Sequence, residues 1–295
     1  MRVIYDVVRD GLFAINTASS QLARAQQQLS SGKRISGAGD DPRGTQQAIA
    51  ERSTLNGIDA YTKTNDAAAA RLASADSVLT GYSDKLTSAI TTALSAQGTQ
   101  VNPAALASSA QALRSLRQAM VSDLNTTSNG NFLFSGTNSN AAAYAQVAGT
   151  WTYQGNADTA QVEVESGRTV SVSFNGRAIA QGSDTTDVFT ALDTLATAVE
   201  NGDNASIATG IDALQRAFDR AQRAQALLGT DEQGVDSAQI RLASLRTAAE
   251  SRRSKLEDAN LAQAATNLQK ADTAYRAALG AVSSAERQSL LDYLR

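Results

Sequence analysis

The chain has 295 residues, 42% hydrophobic but only 5% aromatic, with a formal net charge of -3. It lacks the basic surplus of a nucleic-acid binder and has no run of about 18 apolar residues for a membrane span. The absence of cysteine and histidine removes disulfides, thiolate metal sites and the commonest general base.

Residues 1–29 read as one amphipathic helix. Ile4, Val8, Gly11, Ile15, Ala18, Leu22, Ala25 and Leu29 recur in alternating steps of four and three, a heptad seam. From Ile15 onward the seam alternates large and small, and Ser19, Gln21, Arg24, Gln27 and Gln28 form the polar side. The opening MRVIYDVVRDGLF scatters its charges and has no apolar centre, so no cleaved secretory signal is expected. Ser30 to Gly39, loosened by Gly32, Gly37 and Gly39 and carrying Lys33 and Arg34, reads as a break between helices. Asp41 and Pro42 then mark a helix start. Aspartate caps free N–H groups, and proline fits the first helical position, where its missing N–H is not needed.

Gly44 to about Gln97 is again helical. Ile58, Leu72, Leu79 and Leu86 fall at multiples of seven, with Leu55, Ile90 and Leu94 filling in. Such a helix is about 80 Å long. GTQVNP turns the chain, and Pro103 opens a helix bearing Leu106, Leu113, Leu116, Met120 and Leu124. Residues 131–182 concentrate six of the chain's fourteen aromatics, Phe132, Phe134, Tyr144, Trp151, Tyr153 and Phe174. There Val162 and Val164 answer Val170, Val172 and Phe174 across Ser-Gly-Arg, the pattern of a β-hairpin.

Helical signals resume at Asp187 with VFTALDTLATAVE, stopped at Asn201-Gly202. Ile207, Ile211, Leu214, Phe218 and Ala221 predict a second helix ending near Gly229, before a turn over GTDEQG. A third runs from Asp236 almost to Ser283, its apolar stripe thinning at SRRSKLEDAN. Beyond that point Leu261, Ala264, Leu268, Ala271, Tyr275, Ala278 and Val282 alternate large and small in steps of three and four. Two such stripes interlock, bulky side chains of one lying over alanines of the other, so the chain ends are expected to pair.

The expected fold is mainly α with a small β-rich insertion. Terminal helices 1–40 and 256–295 pair in a coiled coil, 41–130 and 183–255 form an inner long-helix bundle, and 131–182 form a central β-rich domain. The adjacent carboxylates Asp40–Asp41 and Asp231–Glu232 read as caps and solvated charges, so no catalytic, metal or cofactor site is expected.

LSSGKRISGAGDDPRG, residues 29–44, resembles the N-terminal motif of the flagellin superfamily, and SKLEDANLAQAATNLQKADTAYRAAL, residues 254–279, resembles its C-terminal motif. MRVIYD, GNFLFSGTNSN and SLLDYLR are similar to the hook–filament junction branch of that superfamily. The resemblance implies an extracellular structural subunit of the bacterial flagellum, exported through the type III channel and polymerising through its terminal helices. The partners it implies are further copies of the chain in a ring, the hook-side junction protein, flagellin and a type III export chaperone, with no nucleic acid and no membrane insertion. Joined to the two stripes, it marks Ile15, Leu22, Leu29, Leu261, Leu268, Tyr275 and Val282 as assembly residues, and Asp41 and Pro42 as capping at a domain boundary. Two other readings stand beside it. One is a filament flagellin. The other is a helical surface fibre or adhesin whose β domain stacks sugars on Tyr144, Trp151 and Tyr153.

Overall fold

The computed structural model describes residues 2–98 and 102–293, with side chains described between Arg9 and Ser284. The helices are α1 (Arg2–Ser31), α2 (Pro42–Ala96), α3 (Pro103–Leu124), α4 (Gly176–Ala180), α5 (Val188–Asn201), α6 (Asn204–Glu257) and α7 (Leu261–Tyr293). Strands β1 (Thr127–Ser128), β2 (Asn131–Phe132), β3 (Tyr144–Val147), β4 (Thr150–Tyr153), β5 (Gln161–Glu165) and β6 (Arg168–Ser171) lie between α3 and α4. The chain divides into two compact units, Met1–Ile58 with Ser244–Arg295, and Asp59–Ala243. Their boundaries fall inside the long helices α2 and α6.

In the first unit α1 and α7 pack side by side. Gly11 meets Val282 at one end, and Ala259 N–H donates to Gly32 O at 2.8 Å at the other. This antiparallel register sets Ala18 and Ala25 across from Tyr275 and Leu268, and Ala271 and Ala264 across from Leu22 and Leu29. The alanines are buried, which is how the backbones come close. The side chains of Ile4 and Val8, those of the SLLDYLR tail, and residues 99–101 of the predicted turn lie outside the described residues. A Cβ on Gly11 would stand 2.6 Å from Val282 Cγ2. Gly11→Val is therefore expected to weaken the pair by about 1 kcal/mol through overpacking, measured as a lower thermal midpoint of α1 and α7.

The second unit is built on the inner faces of α2 and α6. Leu72, Leu79, Tyr82 and Leu86 are fully buried, together with Leu113, Met120, Leu124, Leu192, Leu195, Leu214 and Leu228. Leu94 departs from the expected stripe and is exposed, because the seam there is carried by Ala89, Ala93 and Ala96. Helix ends follow their local chemistry. Asn102 caps α3 ahead of Pro103, Asp187 accepts from Phe189 and Thr190 N–H to cap α5, and Gly202 closes α5 in the left-handed region.

The β-rich segment consists of three two-stranded antiparallel hairpins, β1–β2, β3–β4 and β5–β6. It starts at Thr127, slightly before the aromatic-rich stretch. Val162 pairs with Val170 as the alternation implies, a bulge falls between Glu163 and Glu165, and Val172 and Phe174 lie past the end of β6. Leu133, Phe134, Tyr144, Val164 and Val170 join the same apolar core as the helices of this unit. Two-stranded hairpins are marginal alone, and packing on helices supplies their stability. Arg71 of α2 adds polar ties, donating to Val172 O and, at 3.3 Å, to Phe132 O.

One expected turn is absent. α6 runs unbroken through Gly229 and GTDEQG. Gly234 is buried, and a Cβ there would approach Val170 Cγ1 at 3.1 Å. Ser171 N–H donates to Asp231 at 3.3 Å beside it. The glycine that reads as a turn signal is where the β5–β6 hairpin approaches the helix closely.

Candidate functional site

The first unit exposes a mismatch between what the helix pair hides and what it carries. Ala18, Ala25, Ala264 and Ala271 are buried, whereas Ile15, Leu22, Leu268, Tyr275 and Val282 are half-buried, and Leu29 and Leu261 are exposed. Large apolar side chains remain in solvent along the same pair, with Phe13 75%, Leu12 59%, Leu261 56% and Leu279 42% exposed. Ile49 on α2 and Leu245 on α6 are also exposed within this unit. These side chains are apolar surface that the helix pair leaves open to contact with another molecule.

The segment between α1 and α2 forms a second feature, a charged joint against the α6–α7 break. Arg34 N–H donates to Glu257 O at 2.6 Å, and Arg34 Nη2 to Leu256 O at 2.8 Å. An isolated antiparallel bridge pairs Lys33 with Asp258. The Glu257 side chain, only 3% exposed, accepts from Lys33 Nζ at 3.0 Å and from Arg52 Nε at 2.8 Å. Arg252 holds Glu51 through two hydrogen bonds at 2.7 and 3.1 Å, so α2 and α6 are clamped one turn further along. Asp41 Oδ1 accepts from Gly44 N–H at 2.9 Å, and Pro42 is the first residue of α2. Asp40 folds the loop back on itself, accepting from Ser36 N–H and Oγ and from Gly37 N–H. Glu257 was not singled out from sequence, although it sits in the C-terminal motif. A lone glutamate at a helix end gives no signal of burial until its two distant cations are brought to it.

Burial works to raise the Glu257 pKa, but the hydrogen bonds and charges of Arg52 and Lys33 outweigh it and hold the carboxyl below its ordinary value. Hydrogen bonds from Ser36 lower Asp40, that from Gly44 lowers Asp41, and that from Arg252 lowers Glu51. Carboxyls depressed by folding stabilise the folded state above their unfolded pKa values and lose that contribution as pH falls through the folded ones. In the second unit the signs are mixed: burial raises Asp231 and Glu232, whereas for Asp184 burial is outweighed by Arg220 and Arg216, which lower it, and hydrogen bonds from Ser206 lower Asp203. Acidification below about pH 4.5, the ordinary range for glutamate, is thus expected to loosen the joint. Hydrogen exchange at the amides of Arg34 and Ala259 reads this directly.

The aromatics of the β-rich segment serve the core. Tyr144 is buried, packs on Tyr153 at 5.4 Å and Phe189 at 4.9 Å, and donates to Gly176 O at 3.3 Å. Tyr153 OH donates toward Phe134 O and Asn156 O at 3.1 and 3.0 Å. Tyr144 is not available as a sugar-stacking platform, and Trp151 and Tyr153 are half-buried against the core. Among the described residues no helix is long and apolar enough to cross a membrane.

Models of the bacterial flagellin N-terminal helical region and of the bacterial flagellin C-terminal helical region match residues 12–139 and 211–294, between them most of the chain. The chain belongs to the flagellin family. Both matches take in the joint and the described face of the terminal pair. No curated protein matches the sequence. Among solved structures, one described as a flagellar hook-associated protein from Vibrio parahaemolyticus is similar at 20% identity and TM-score 0.70, over 74% of this chain and 100% of that one. FlgL of Xanthomonas campestris is similar at 16% identity and TM-score 0.61, over 69% and 98% of the two chains. The flagellar junction protein FlgL from Legionella pneumophila is similar at 11% identity and TM-score 0.61, over 72% and 100%. At these identities the likeness establishes the flagellin-type helical fold with its small β insertion.

Proposed function

We propose that this flagellin-family chain is a structural subunit of the bacterial flagellum, polymerising through its terminal helix pair and joining hook to filament. The carrying observation is the inverted burial of that pair, with alanines inside and Leu12, Phe13, Leu261 and Leu279 in solvent. Each leucine fully buried at a subunit contact contributes roughly 1.5–3 kcal/mol, so stacking copies side by side is driven by surface the single chain leaves open. The junction placement rests on MRVIYD, GNFLFSGTNSN and SLLDYLR, and on the fold shared with proteins described as FlgL. The hook-side junction protein and flagellin are then its neighbours in the assembly. A type III export chaperone covers α7 before assembly, and the chain reaches the cell exterior without a cleaved signal peptide.

Immunogold labelling of flagellated cells with an antibody to residues 131–182 tests the placement. A single band where hook meets filament is expected. Label along the whole filament identifies a filament flagellin instead, and label absent from the flagellum overturns the reading.

A further inference from the structure

Ile58, Leu72, Leu79 and Leu86 of α2 recur at multiples of seven, with one place in the series skipped. That place is Asn65. It is as buried as the leucines that follow it, at 0% exposed. Neither its amide oxygen nor its amide nitrogen has a hydrogen-bond partner. A buried amide left unpaired weighs against the fold by its full desolvation. Gln239 of α6 donates to Asp66 at 3.4 Å, which fixes the level of the two helices here and sets Ala238 and Leu242, both buried, on the α6 side of the seam. The continuous apolar core of the second unit begins on α2 at Ala68 and ends on α6 at Ala238. Leu55, Ile58 and Leu242 are buried as well but stand apart from it. The apolar seam is therefore interrupted at Asn65 while α2 runs through it unbroken.

We propose that Asn65 is a weak layer at which the end of the second unit, residues 59–65 of α2 with 238–243 of α6, opens and closes while the rest of that unit's core stays shut. Opening admits water to both atoms of the amide, so the opened form recovers hydration that the closed form lacks. A layer of leucine or alanine has no such return, because its opening exposes apolar surface alone. A buried asparagine fixes register in a coiled coil when it meets a polar partner across the seam. Ala238 and Leu242 offer no polar side chain, so Asn65 weakens its layer and does not select an alignment. Interrupted apolar contact of this kind divides a core into segments that open separately.

Amide hydrogen exchange on the full-length chain tests this. The amides of Asn65 and Leu242 are expected to exchange at least about a hundredfold faster than those of Leu79 and Leu86. Asn65→Leu completes the apolar series and is expected to slow exchange at residues 65 and 242 about tenfold, the effect of deleting an unpaired buried amide. Asn65→Ala deletes the same two polar atoms without adding volume, and similar slowing is expected. Helix propensity accounts for no more than about threefold of either change, so tenfold slowing in either variant supports the weak layer. Exchange at Asn65 and Leu242 as slow as at Leu79 and Leu86 overturns the proposal, because the seam then opens only with the whole core. Slowing within about threefold in both variants, or acceleration in both, overturns it too, because the amide is then not what weakens the layer.

Discussion

Leu268→Asp is expected to abolish assembly while leaving the second unit folded. Leu268 lies across from Ala25 in the α1–α7 register and is half-buried in the single chain. The substitution removes apolar surface from the seam and places a carboxylate where its hydration is incomplete. Loss of the leucine's share of burial costs about 1–2 kcal/mol within one chain, and the desolvated charge adds to this at every subunit contact. The nearest cation on α7 is Lys270, which is exposed beside the seam and not in it, so little compensation is available. The second unit has its own core, drawn from α2, α3, α4, α5, α6 and the hairpins, so it is expected to stay folded. Sedimentation velocity is expected to show a monomer at concentrations where the unmodified chain assembles, with the main thermal transition unchanged, and cells carrying the variant are expected to be non-motile. Full motility would refute the role given to the stripe.

Glu257→Ala is expected to release the joint. The carboxylate is the only negative side chain facing both Lys33 and Arg52 among the described residues, and its removal leaves two cations around a small void. Breaking a fully buried pair costs about 3–5 kcal/mol. Lys33 and Arg52 are themselves about half exposed, with side-chain accessibilities of 46% and 54%, so solvent screening reduces the cost to about 2 kcal/mol. The backbone clips from Arg34 and Ala259 then open together. Limited trypsin digestion reads the effect, because Lys33 and Arg34 are cleavage sites held against α6. Much faster cleavage there, with a fragment spanning the second unit persisting, is the expected outcome. Unchanged cleavage would show that the backbone bridges hold the joint without the carboxylate.

The largest features of the fold were legible because they rest on periodicity. The alternating stripes at both ends placed α1 and α7 and their pairing, and Asp41-Pro42, Pro103, Asp187 and Gly202 placed helix ends through local capping chemistry. Glycine was the residue most easily misread. At Gly234 the local preference for a turn gave way to a tertiary demand, close approach of the β5–β6 hairpin to a continuous helix, whereas Gly229 lies in the same unbroken helix with open space around it. The hairpins β1–β2 and β3–β4 were hidden for a related reason. Their strands are two to four residues long and owe their stability to Leu133, Phe134 and Tyr144 packing on helices far away in sequence. Glu257 was unreadable in the same way, since its partners Lys33 and Arg52 lie more than two hundred residues upstream.

Side-chain footprinting by hydroxyl radicals, on the full chain before and after assembly, tests the central claim most directly. Protection on assembly is predicted at Leu12, Phe13, Leu261 and Leu279, the apolar residues the terminal pair leaves in solvent, with Leu94, Val147 and Leu227 of the second unit remaining reactive. Protection confined to those second-unit residues, with Phe13 and Leu279 still fully reactive, would contradict an assembly built on the terminal helices.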